Sequence, residues 1–120
     1  MKKTRPANPE LLKVASLLRK QGRESKTNVW QDVAARLVKS RRRRISVNLS
    51  RLDRYTSRNE TVVVPGKVLA AGEITHPITI AAFSFSGKAE EKIKAAKGRC
   101  VSFADLTRKN PKGSKVKIIG

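Results

Sequence analysis

Between Val62 and Gly87 the chain carries only two charged residues, Lys67 and Glu73, although it is strongly charged elsewhere. A window so rich in Val, Ile, Ala and Phe is stable only where water is excluded. It therefore marks the sheet region of the core and leaves the charge to the remaining elements. "TVVVPGKVLAAG" predicts a short β-branched strand, a Pro65-Gly66 turn and a further apolar segment ending at Gly72. "PITIAAFSF" predicts the next strand, with Ile78, Ile80 and Ala82 on one side.

The segments that flank this window read differently. Residues 1–7 are basic and aperiodic, which predicts an extended arm. In "NPE", Asn8 can cap a helix, Pro9 suits its first position and Glu10 its positive end. Leu11, Val14, Ala15 and Leu18 then recur at helical spacing, and Gly22 predicts the stop. A second helix is expected from Asn28, with Gln31 completing a capping box and Trp30, Val33, Ala34, Leu37 and Val38 as its buried stripe. The two helices should pack as a hairpin.

After the four arginines Arg41, Arg42, Arg43 and Arg44 the period changes from 3.6 to 2. Ile45, Val47 and Leu49 alternate with polar residues, as in a half-buried strand. "RLDRYTSRNE" reads as a polar connection with room for a helical turn. Ser86 is placed to cap "GKAEEKIKAAK", whose acids come early and lysines late, and Gly98 predicts its end. "CVSFADLTRKN" predicts a short strand and a short helix with Ser102 and Asp105 at capping spacing. A turn cluster "NPKGSK" and a last strand through Val116, Ile118 and Ile119 complete the chain. The expected class is α/β: one domain over 1–120, with a basic arm (1–7), a helical segment (8–40) and a mixed α/β core (45–120).

Charge then narrows the function. Twenty-eight Lys and Arg against nine Asp and Glu leave a net +19, with +13 of it in residues 1–58 and +6 in 59–120. Self-repulsion of that size weakens a compact state unless an anionic partner neutralises it. It also exceeds what solubility requires. A single cysteine excludes an internal disulfide, and no apolar run reaches the ~18 residues a membrane helix needs. No secretory-type apolar segment follows the basic start, so a soluble intracellular protein is expected.

Catalytic material is sparse. His76 is the only histidine, in a turn before Pro77, and Cys100 is the only thiol. A base needs a nucleophile and an orienting group beside it. A low-pKa thiol next to Arg99 is the alternative to a buried, inert one. One Cys and one His cannot close a four-ligand zinc site. Gly87-Lys88 lacks the glycine five residues earlier and the following Ser or Thr of a phosphate-binding loop. No Gly-x-x-Gly loop or basic-Gly-aromatic strand of the common RNA modules occurs. Five aromatic residues offer little stacking surface, and Trp30 falls on an apolar helix face. What remains is phosphate binding by many cations, the mode suited to folded A-form RNA.

The stretch "ETVVVPGKVLAAG", followed by "TIAAFSFSGKAEEKI" and "NPKGSKVKIIG", closely resembles the large-subunit ribosomal protein family eighteen-e. "NPE", "VWQDVAARL" and "VNLSRLDRY" fit the same pattern, so the resemblance spans nearly the whole chain. That family is shared by archaea and eukaryotes and is related in structure to universal ribosomal protein fifteen. The compact length resembles the archaeal form. The resemblance implies a non-catalytic component, without cofactor, that binds large-subunit rRNA and touches neighbouring ribosomal proteins. It also implies an irregular superhelix of strand–strand–helix units. Lys67 and Lys88, in two of the matching segments, become expected RNA contacts.

From charge and expected exposure the further RNA-binding candidates are Lys2, Lys3 and Arg5 of the arm, the run 41–44, Arg51 and Arg54, and Lys109, Lys112 and Lys115 of the turn. Arginine can engage phosphate bidentately. The run "RRRR" alone suits a nuclear-import-like signal, a solvated loop or a disordered basic tag, but its place between two packed elements predicts an ordered clamp. Two rivals share parts of this pattern: an architectural DNA-binding protein, and a small RNA-acting enzyme using Cys100 and His76.

Overall fold

In the computed structural model of the protein, residues 9–39, 46–113 and 115–119 are described. The arm, the four arginines and Ile45 lie outside them. Two helices, α1 (Pro9–Ser25) and α2 (Val29–Lys39), come first. Strand β1 (Ser46–Asn48) runs straight into α3 (Leu49–Arg54), and β2 (Thr61–Leu69) and β3 (Thr79–Phe85) follow. The chain ends with α4 (Gly87–Ala95), β4 (Arg99–Val101), α5 (Phe103–Lys109) and β5 (Val116–Ile118).

The five strands form one parallel sheet of order β1-β2-β3-β4, and β5 also pairs with β2. Strand β2 shares a single edge between two partners. Thr61, Val62 and Val63 pair with β5, while Lys67, Val68 and Leu69 pair with β1. Between them the register against β3 slips by one residue, from Val64–Ala82 to Lys67–Ser84. Pro65-Gly66 is therefore a bulge inside one continuous strand, not the predicted turn. Proline has no N–H to give a ladder, and a bulge is where a strand can accept that.

Both sheet faces are covered, as parallel sheets require. Val62, Val64, Val68, Ile78, Ile80 and Ala82 pack with Leu49, Leu52, Ala89 and Ile93 of α3 and α4. On the other face, Val63 and Ala81 meet Ala15, Leu18, Trp30, Val33, Leu37, Phe103 and Leu106 of α1, α2 and α5. The order β2-β3-α4 is the expected strand–strand–helix succession; the other strands alternate with helices in the same sheet.

Two glycines do something other than end helices. Helix α1 continues through Gly22 to Ser25, and Lys26 takes the left-handed position instead. A Cβ on Gly22 would stand 2.7 Å from the Gln31 side chain, so Gly22 lets α1 and α2 approach. Lys97 plays the left-handed part after α4, and a Cβ on Gly98 would lie 2.6 Å from the Ile78 carbonyl oxygen. The caps follow the sequence. Ser86 Oγ accepts from the Ala89 N–H at 3.1 Å, and Ser102 Oγ from the Asp105 N–H at 3.1 Å.

Candidate nucleic-acid interface

Helix α3 begins where β1 would otherwise have continued. Leu49 and Leu52, one helical turn apart, both reach the core, which an extended chain would not allow. The same turn leaves Arg51, Arg54 and Tyr55 exposed. Tyr55 ends the helix with its N–H on the Arg51 carbonyl at 3.2 Å, and its own carbonyl accepts from Lys117 Nζ at 2.9 Å. Lys117 also reaches Glu60 Oε1 at 3.3 Å. The Ser57 N–H, donating to Glu60 at 2.7 Å, and then Lys117 hold this carboxyl below the usual range. Arg51, Tyr55, Lys117, Ile118 and Ile119 line an open cleft of about 380 Å³.

A second basic group sits at the far end of β5. Helix α5 stops at Asn110, and the following turn is tied to the α1–α2 hairpin. The Trp30 indole N–H donates to the Pro111 carbonyl at 2.7 Å, and Gln21 Nε2 reaches the same oxygen at 3.4 Å. Gly113, at φ +66°, lies against Val29 and Trp30 where a Cβ would collide. This presents Lys109, Lys112 and Lys115 on the surface from a fixed turn. The Gln21 contact brings the C-terminal half of α1 beside them. Arg19, Lys20 and Arg23 are exposed there, as are Lys26 just after the helix and Lys13 nearer its start, and none forms an ion pair with a described acid. Sequence reasoning missed these five, although their position off the Ala15–Leu18 stripe was the signal for them.

Lys67 and Lys88 are also exposed, but elsewhere. Lys67 lies toward the carboxyl end of β2, and Lys88 follows the carboxyl end of β3. Lys109 ends α5 and Lys115 precedes the amino end of β5. In a parallel sheet these are opposite ends, separated by roughly 26–30 Å for a strand of nine residues. The candidates thus do not converge on one patch. Lys2, Lys3, Arg5 and the run 41–44 lie outside the described residues.

Of the two residues considered for catalysis, His76 serves the connection 70–78, which carries the chain from β2 to β3. His76 sits between Asp53, at 3.2 Å from Nδ1, and Thr56, at 2.8 Å from Nε2. That spacing resembles a nucleophile–base–acid relay, but the Thr56 hydroxyl donates to the Leu52 carbonyl at 2.6 Å. Its proton is spent on α3, and the triplet works as a clamp between α3 and the connection. Asp53 also accepts from the Thr75 N–H at 2.9 Å and hydroxyl at 2.8 Å. The Thr75 N–H is the main cause holding its carboxyl below the ordinary 3.8, against partial desolvation. Lys92 Nζ donates to the Ala70 and Gly72 carbonyls and to Glu73, at 2.9–3.1 Å. Cys100 is half-buried, and desolvation first, then Glu90, pushes its thiol up to about 11. It is the inert alternative, not an activated thiol.

Among the described residues no group of three His, Cys, Asp or Glu could hold a metal, and no helix is long and apolar enough to cross a membrane. The site is thus a set of exposed cations and one exposed ring on a rigid sheet scaffold. A family model described as ribosomal protein 60S L18 and 50S L18e matches residues 1–120. The large ribosomal subunit protein eL18 of Methanospirillum hungatei is 44% identical over 113 residues, covering 94% of this chain and 93% of the relative. That of Archaeoglobus fulgidus is 44% identical over 115 residues, covering 96% and 98%. That of Methanococcus maripaludis is 40% identical over 119 residues, covering 99% of each. The chain belongs to the family of ribosomal proteins 60S L18 and 50S L18e.

Proposed function

We propose that the protein is a non-catalytic constituent of the large ribosomal subunit in the cytoplasm, acting as one unit that binds folded large-subunit rRNA through phosphate contacts. The observation that carries this reading is the distribution of unpaired cations. Arg51 and Arg54 on α3, Lys109, Lys112 and Lys115 on the turn, and Lys67 and Lys88 at the other end of the sheet are all exposed. None of them forms an ion pair with a described acid. Cations at both ends of a rigid sheet suit a protein that ties separate RNA segments together and abuts neighbouring ribosomal proteins. The arm (Lys2, Lys3, Arg5) and Arg41, Arg42, Arg43 and Arg44 would add to the same phosphate contacts.

A filter-binding titration against purified large-subunit rRNA tests this. With six to ten phosphates neutralised, affinity should fall by roughly 10³ to 10⁵ between about 50 and 200 mM salt. A flat response would overturn the reading.

A further inference from the structure

All five aromatic residues are described, and four of them are core or lie against it: Trp30, Phe83, Phe85 and Phe103. Tyr55 differs, with 54% of its surface exposed. Its backbone is fixed at both ends, by the Arg51 carbonyl and by Lys117 Nζ. The fold therefore holds the residue in place yet makes little use of its ring. Beside the ring is the cleft floored by Ile118 and Ile119 and rimmed by Arg51 and Lys117. Its volume of about 380 Å³ falls within the roughly 300–1,000 Å³ range of small-ligand clefts.

We propose that this cleft receives one unstacked nucleobase of the bound RNA, its face against the Tyr55 ring and its phosphate on Arg51. The proposal rests on the rRNA-binding reading above and adds a point of base contact to it. Charge selects the occupant. Arg51 and neighbouring Arg54 have no carboxylate partner among the described residues, while Glu60 is occupied by Lys117 and the Ser57 N–H, and Asp53 by Thr75 and His76. An apolar floor, a π-face and an unpaired guanidinium together match a nucleotide that has left its helix. A base stacked within a helix offers no free face, so the cleft would read a bulge or loop rather than a duplex.

The test uses the full chain on purified large-subunit rRNA. Irradiation at short wavelength should leave a nucleotide adduct on the peptide containing Tyr55. Tyr55→Phe should bind as the parent does, because stacking survives. Tyr55→Leu should weaken binding about 5- to 150-fold, the equivalent of ~1–3 kcal/mol for one stacked base. The salt slope should stay unchanged, because no phosphate contact is removed. Circular dichroism establishes that both variants are folded; the crosslink on the parent chain does not depend on either.

Equal affinity of the Leu and parent forms, or no adduct at Tyr55 in bound rRNA, overturns the proposal while rRNA binding stands. An adduct to another ribosomal protein in intact subunits overturns it too. Absence of rRNA binding by the parent chain instead removes the reading on which it rests.

Discussion

Trp30 connects the helical layer of the core to the basic turn, and Trp30→Phe isolates what that connection contributes. The indole is fully buried, and its N–H donates to the Pro111 carbonyl at 2.7 Å. Phenylalanine keeps a ring in the same cluster but loses the donor and part of the apolar bulk. The hydrogen bond is worth about 1 kcal/mol net, since Pro111 is exposed and its carbonyl can turn to water. Two missing ring carbons at ~0.8 kcal/mol per buried methylene-sized group add about 1.5 kcal/mol. The sum is a loss of about 2–3 kcal/mol.

At ~2.1 cal/mol/K per residue, a chain of 120 residues has an unfolding entropy of about 250 cal/mol/K, so the melting temperature should fall by ~8–12 °C. Scanning calorimetry of the free protein measures it. Freed from Trp30, the turn should also present Lys109, Lys112 and Lys115 less rigidly, and rRNA affinity should fall below the parent's at a temperature where both forms are folded. A drop of less than about 3 °C would refute the packing and hydrogen-bond reasoning. An unchanged rRNA affinity would refute the claim that Trp30 positions the turn.

Acid should weaken the fold through Asp53 and Glu60, whose carboxyls are both held below their ordinary values. Their stabilisation is complete above the unfolded-state values and lost as pH falls through the folded ones, because the unfolded chain binds more protons there. Urea midpoints should therefore decline below about pH 4, and Asp53→Asn should flatten that decline; an identical slope in the variant would exclude Asp53 as a cause. Lys92→Met removes the donor to Ala70, Gly72 and Glu73. It should cost about 1.5 kcal/mol, the low end for charged hydrogen bonds at a partly exposed site, and speed amide exchange in 70–76. The salt slope of rRNA binding should not change; a decrease of about one would mean that Lys92 contacts phosphate.

Much of the local structure was legible because its causes are local. Ser86 and Ser102 cap the helices they precede, and Trp30, Val33, Ala34 and Leu37 of the expected stripe are buried. What escaped depends on partners far along the chain. Pro65-Gly66 has the chemistry of a turn, and only pairing with β3 on one side and β1 and β5 on the other keeps the strand extended through it. Leu49 fits the period-2 pattern of Val47 equally well as the start of a helix, and the choice was made by Leu52 reaching the core. Gly22 and Gly98 looked like helix stops, but the neighbours they admit, Gln31 and Ile78, are set by packing. The exposed ring of Tyr55 was legible only as one more residue in a polar connection, because its cleft is built with Ile118 and Ile119 from the far end of the chain.

The charge itself looks different once each cation is placed. Arg36, Lys92, Arg108 and Lys117 pair with Asp32, Glu73, Asp105 and Glu60, so part of the positive charge is used within the fold. These pairs are largely surface pairs, each worth no more than about 1 kcal/mol. Lys92 and Lys117 do more, because each also anchors backbone carbonyls of a segment distant in sequence. Using acids this way leaves the remaining cations on α1, α3 and the 109–115 turn without a described carboxylate to neutralise them. A net +19 then opposes compaction in the free protein, and an RNA partner would relieve it by supplying the missing anions. Bound rRNA should consequently raise the melting temperature more at low salt than at high salt, the opposite of what simple screening of a free cationic protein produces.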